Sequence, residues 1–211
     1  SAPASMSEVR QELGLLQHEP VIGFVGRLWP QKRVQDLIWA ADILRMSGWK
    51  CKVLIVGDGP RRSSLESFAD ALEITDEVRF LGHREDARRI IDALDILVLP
   101  SQYEGMPNVV LEAMSAGKPV VGTDIAGIRD VVADGETGIL VPSKKPLELA
   151  KGIRRLLVDP ALAQRMGESA RRRAETEFSV SKMVEAYDAL YAQLMEKEAK
   201  RCSIPLETRA N

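Results

Sequence analysis

Ile96-Leu97-Val98-Leu99-Pro100 runs directly into Ser101-Gln102-Tyr103-Glu104-Gly105-Met106-Pro107-Asn108-Val109-Val110-Leu111-Glu112-Ala113-Met114. The first segment is a short unbroken apolar run closed by proline, which suits a strand buried on both faces. In the second, Pro107 fits a first helical position, and Gly117 followed by Pro119 marks the helix end. Residues 101–106 therefore form a loop at the carboxyl end of a central strand, where open α/β sheets bind ligands. Glu104 and Glu112 straddle this junction with seven residues between them. Glu112 is the only charged residue between Gly105 and Gly117. A carboxylate in so apolar a helix costs free energy unless it meets hydrogen-bond donors, and sugar hydroxyls are suitable donors. Taken singly, either glutamate reads as a solvated surface residue.

Working outward, apolar runs recur at Val21–Val25, Val53–Val56, Val78–Leu81, Val120–Thr123 and Gly138–Val141. Between them lie stretches with helical spacing, such as Leu37, Ile38, Ala41 and Leu44 over 34–46, or Leu65, Phe68, Ala69 and Leu72. Strands that alternate with helices, each a mostly continuous apolar run, predict an α/β fold. The expected architecture is a doubly wound, Rossmann-like parallel sheet of about six strands, with strand-to-helix loops along one edge. From Pro146 onward the pattern is helical only. Asp159-Pro160 reads as a cap and first turn, and Ser179 as the cap of a last helix carrying Met183, Tyr187, Leu190 and Leu194.

The chain has 211 residues, 45% hydrophobic and 28% charged, which is enough for one substantial core. A net charge of −2 gives no electrostatic case for a nucleic-acid partner. Cys51 and Cys202 lie far apart without metal-ligand or redox spacing, Cys51 reading as a strand residue and Cys202 as tail, which favours a reducing, cytoplasmic setting. No apolar stretch approaches the roughly 18 residues of a membrane span. Residues 1–19 read as a linker or junction, 20–199 as the folded domain and 200–211 as a polar tail.

Arg27 and Lys32 fall five residues apart in the loop after the first strand, Lys32 near the start of the next helix. Arginine offers phosphate a planar fork and lysine a mobile point charge. Gly105 allows close approach, and the helix that follows Met106, Pro107 and Asn108 can turn its free N–H groups and dipole toward an anion. Gly57-Asp58-Gly59-Pro60 ends the second unit. Arg62 stands where a dinucleotide fingerprint would need its third glycine, so nicotinamide binding is a poor reading. No His/Asp cluster has metal-ligand spacing.

Together, Ser101, Glu104, Gly105, Leu111-Glu112-Ala113-Met114, Gly117 and Pro119-Val120-Val121 resemble the donor-site signature of family-4 retaining glycosyltransferases of the two-domain GT-B architecture. The likeness extends from about Val21 to Leu194. It implies a nucleoside-diphosphate sugar as donor, no metal or other cofactor, and an excised carboxyl-terminal half whose amino-terminal, acceptor-binding domain is absent. It gives Glu104, Arg27 and Lys32 the catalytic work, as binding and orienting groups rather than nucleophiles. Gly26-Arg27-Leu28 to Lys32 resembles the diphosphate loop. Glu104 would accept hydrogen bonds from sugar hydroxyls and Glu112 from the ribose, while Gly105, Met106, Pro107 and Asn108 cradle sugar and phosphate. Gly57 belongs to a loop edge facing the other domain, and His83 and Arg84 fall where the base would lie. The full enzyme is also compatible with peripheral membrane contact.

One segment departs from the family pattern: Ala126-Gly127-Ile128-Arg129-Asp130 stands where Gly-Gly-x-Pro-Glu is common, which leaves the role of Asp130 open. Competing readings are a nucleotide-sugar epimerase or phosphorylase of the same architecture, a non-catalytic nucleotide-sugar-binding module, and a receiver-like domain. The last would need clustered acids after the first strand, where Gly26-Arg27 stands instead. Base, sugar and acceptor are not legible.

Overall fold

The computed structural model describes residues 6–202, with side chains to residue 197. Contacts divide the chain into two units, Ser1–Arg173 and Ala174–Asn211.

The first unit holds six strands: β1 (Val21–Val25), β2 (Lys52–Val56), β3 (Val78–Gly82), β4 (Ile96–Leu99), β5 (Val120–Thr123) and β6 (Gly138–Val141). All pair in parallel, in the order β3-β2-β1-β4-β5-β6. The doubly wound, Rossmann-like sheet expected from the apolar runs is what the chain forms. The two central strands are covered on both faces, with Ile22, Phe24, Leu97 and Val98 fully buried. That explains why their sequences do not alternate. Helices α2 (Val34–Met46), α3 (Arg62–Ala71), α4 (Ala87–Ala93), α5 (Asn108–Ser115) and α7 (Pro146–Val158) present their apolar stripes to the core.

Two elements have weak sequence signals. Helix α1 (Met6–Glu12), within the stretch read as a linker, packs on α4, and its Val9 is buried. Its Arg10 is 3% exposed, a position arginine tolerates only when paired. Here it bonds Asp95 Oδ2 at 2.8 Å and the carbonyls of Ala93, Gln17 and Glu19. The second is the single turn α6 (Ala126–Arg129).

Pro107 stands one place earlier than the sequence predicts. It precedes α5 with φ −80° and ψ 92°, and its carbonyl accepts the Val110 N–H at 2.9 Å. The fixed proline φ serves either position; its ψ here is outside the helical range. Cys51 falls one residue before β2, not within it.

Helix α8 (Pro160–Glu177) begins as expected, Asp159 Oδ1 accepting the Leu162 N–H at 2.9 Å. In the second unit, Ser179 Oγ accepts the Lys182 N–H at 3.3 Å at the start of α9 (Val180–Cys202). The backbone of α9 takes in 200–202 of the expected polar tail; residues 203–211 lie outside the described residues.

Cys51 is 5% exposed, and burial, reinforced by Glu77 and Glu19, pushes its thiol up to about 12. Only thiolate attacks a disulfide reagent. In a Cys202→Ser chain at pH 8, labelling by Ellman's reagent is expected to be at least about 100-fold slower than in urea, because it must await local opening. Labelling at the unfolded rate would contradict this burial.

Candidate functional site

The exit loops of β1 and β4 leave the sheet where its strand order reverses, and a crevice opens between them. The two loops are tied: the Gln102 N–H donates to the Gln31 carbonyl at 2.7 Å. The crevice contains a cavity of about 440 Å³ lined by Arg27 and Lys32 on one side and Glu104, Gly105, Met106, Pro107 and Asn108 on the other. A second cavity, about 320 Å³, is lined by Gly57, Asp58, His83, Arg84 and the start of α4. Gly26 and Arg27 line both, so they form the waist between them.

At the centre is an ion pair that joins loops 72 residues apart: Lys32 Nζ lies 2.6 Å from Glu104 Oε1. Both side chains are largely covered, at 19% and 11% exposure. A carboxylate so placed needs donors. It has a second one in Ser101 Oγ, which donates to the same oxygen at 2.6 Å. Ser101 is itself fully buried, and its carbonyl accepts the hydroxyl of Thr123 at the end of β5. Two exit loops, backed by the end of β5, thus fix one carboxylate.

Arg27 is different. It is exposed, and among the described residues its guanidinium has no hydrogen-bond or ion-pair partner, so its fork is open to an anion. Lys32 closes a short 3-10 turn, Pro30–Lys32, after which Arg33 takes a left-handed conformation with φ 49°. That conformation is uncommon for a residue with a side chain. It is held by a two-pronged bond from Arg33 to Asp36, at 2.7 and 2.8 Å.

The remaining expected residues divide. Gly57 sits where β2's exit meets β1's: a Cβ there would lie 1.9 Å from the Gly26 carbonyl oxygen, so only glycine fits. His83 is exposed in the second cavity. Arg84 lines it too, but its guanidinium already grips Asp86 at 2.7 and 2.8 Å, which holds the Asp86 carboxyl below its usual range. Gly105, Met106 and Asn108 are exposed at the mouth of the first cavity, ahead of the α5 N–H groups that the helix leaves unused. Glu112 lines neither cavity. Its side chain is exposed, and its carbonyl accepts a bond from Arg88 of α4 at 3.1 Å. Asp130 is exposed at the end of α6 and also lines neither.

Sequence reasoning missed Gly127. A Cβ there would lie 1.9 Å from the Gly105 oxygen and 2.5 Å from the Glu104 oxygen. The turn carrying Glu104 therefore rests directly on α6. The available signal was this glycine's presence in the segment that otherwise departs from the family pattern. Among the described residues, no group of three or more His, Cys, Asp or Glu side chains could hold a metal ion, and no helix is long and apolar enough to cross a membrane.

The model of the family described as glycosyl transferases group 1 matches residues 5–173. Alpha-D-kanosaminyltransferase of Streptomyces kanamyceticus is 35% identical over 193 residues, covering 90% of this chain and 50% of that protein. N-acetyl-alpha-D-glucosaminyl L-malate synthase of Bacillus anthracis is 31% identical, with coverage of 90% and 50%. Among solved structures, Anabaena HepE in complex with UDP and glucose superposes with a TM-score of 0.83 at 27% identity, covering 91% of this chain and 53% of that one. Sucrose-phosphate synthase from Thermosynechococcus elongatus gives 0.81 at 28% identity, with coverage of 92% and 52%. The chain thus spans about half the length of the proteins it matches. With the model covering all six strands and the whole crevice, the chain belongs to the glycosyl transferases group 1 family.

Proposed function

We propose that this chain is the donor-binding domain of a retaining glycosyltransferase that moves a sugar from a nucleoside-diphosphate sugar to an acceptor hydroxyl. The observation that carries the reading is the pair of cavities joined at Gly26-Arg27. A nucleotide sugar has a base at one end, a sugar at the other and a diphosphate between. The waist offers the unpartnered Arg27 to the diphosphate, the His83 side takes the base, and the Glu104 side takes the sugar. The names of the relatives and the UDP held by HepE support it.

The chemical problem is the departure of the diphosphate. The bond from the anomeric carbon to the β-phosphate oxygen breaks as the acceptor oxygen bonds that carbon on the same face, and the acceptor's proton leaves with the diphosphate. Charge therefore grows on the phosphate oxygens. Arg27, Lys32 and the α5 N-terminus are preorganised against it. Lys32 turns from Glu104 to the phosphate, and Glu104, still held by Ser101, accepts hydroxyls of the sugar. Glu112, exposed on α5, serves the ribose. We place the other half of the active site on an amino-terminal domain, so this chain alone should bind donor without transferring sugar.

Thermal shift with UDP, GDP and ADP, followed by calorimetry on the best of them, tests this reading. Stabilisation by none of the three would sink it. The two glutamates give a finer check. Glu104→Gln should leave UDP affinity unchanged or raised, since Lys32 is released, while weakening UDP-glucose by about 1–3 kcal/mol for a lost charged hydrogen-bond partner. Glu112→Ala should weaken both ligands alike. Equal weakening of UDP and UDP-glucose by Glu104→Gln would remove Glu104 from the sugar end.

A further inference from the structure

A third cavity, about 530 Å³, adjoins the donor crevice and is lined by Trp29, Gln31, Gln35, Arg61, Gln102 and Tyr103. Trp29, Gln31 and Tyr103 also line the 440 Å³ cavity, so the two spaces share one wall. That wall is pinned by the Gln102-to-Gln31 backbone bond and by the Lys32 N–H, which donates to the Trp29 carbonyl at 3.0 Å. Its two large rings nevertheless stand free, Trp29 being 46% and Tyr103 62% exposed. Rings of this size in the open are costly unless they meet a partner, and an indole or phenol offers an apolar face with a polar tip. The rest of the lining includes the amides of Gln31, Gln35 and Gln102, the apolar Pro30 and Leu65, and Arg61, whose Nε is turned to Ser64 Oγ at 3.1 Å. Arg33 and Asp36, which border the same space, neutralise each other in their two-pronged pair.

Flat apolar faces set among amides suit a ring carrying many hydroxyls: the C–H face packs on the aromatics and the hydroxyls meet the amides. We propose that this third cavity is an acceptor subsite for a sugar or cyclitol ring, poised across the Trp29–Tyr103 wall from the donor sugar. It rests on the donor reading above, and it moves part of acceptor recognition onto this chain, where the family resemblance implies an acceptor-binding amino-terminal domain. The acceptor hydroxyl reaches the anomeric carbon from beside the wall, and the bonds made and broken are those already described.

Nuclear magnetic resonance on the ¹⁵N-labelled 211-residue chain, saturated with UDP, tests it with methyl α-D-glucopyranoside and myo-inositol as separate probes. At least one should shift the Trp29 indole N–H together with the Gln35 and Gln102 side-chain amides, and which one does so tells a sugar site from a cyclitol site. The double variant Gln35→Ala/Arg61→Ala, altered only in the third cavity, should weaken that probe at least about tenfold and leave UDP affinity within about twofold. No shift with either probe, or shifts that survive the double variant unchanged, overturns the subsite. Failure of UDP itself to bind overturns the donor reading instead, and the probe titrations, repeated without UDP, still report on the cavity.

Discussion

Arg27→Ala will weaken UDP binding by about 1.5–3 kcal/mol, the scale of hydrogen bonds to a charged group, or roughly 10- to 150-fold. Lys32→Ala will weaken it less. Both residues line the same cavity, but they start from different states. The Arg27 guanidinium has no partner to give up among the described residues, so its bonds to phosphate are nearly all gain. Lys32 must first leave Glu104, from which it lies 2.6 Å, and the cost of separating that largely covered pair is subtracted from what phosphate returns. The uncharged nucleoside should bind both variants as it binds the parent chain. Calorimetry with UDP and uridine separates the cases. Equal losses for the two ligands would make these residues structural, and a larger loss at Lys32 than at Arg27 would contradict this ranking.

Gly127→Ala will destabilise the chain by about 1–3 kcal/mol, as overpacking does, and will also abolish calorimetrically detectable UDP-glucose binding. The new methyl group would meet backbone at 1.9 Å, and backbone cannot swing aside as a flexible side chain can. Either α6 or the Glu104-Gly105 turn must shift, and the turn carries the carboxylate. Gly105→Ala is the control. A Cβ at that position meets nothing within 4 Å, so thermal stability should hold. If Gly127→Ala melts and binds like the parent chain, the Glu104 turn does not depend on its seat on α6.

The frame of this fold is legible in the sequence because its strands are buried on both faces. Runs such as Val21–Val25 and Ile96–Leu99 need no tertiary information to be read, and Gly and Pro punctuate the helices between them. The loops that carry Arg27, Lys32 and Glu104 could therefore be placed on one edge of the sheet from the pattern alone. What stayed hidden is whatever depends on residues distant in the chain. Arg10 reads as a surface arginine until Asp95 and three carbonyls surround it. Nothing local says that Lys32 and Glu104, assigned to the diphosphate and to the sugar of one ligand, hold each other. Gly127 is the same kind of case, since its need for glycine comes from a loop more than twenty residues earlier. Pro107 misled in a smaller way, because proline's φ is as good just before a helix as at its first residue.

The most direct measurement is a crystal structure of the chain with UDP-glucose. The diphosphate is expected at the waist, its oxygens within about 3.2 Å of Arg27 and Lys32. Uracil should lie toward His83, glucose should meet Glu104 and the α5 N-terminus, and the Lys32–Glu104 contact should be broken. A nucleotide lying the other way round, with its base against Glu104, or one bound away from the β1–β4 crevice, would contradict the donor assignment.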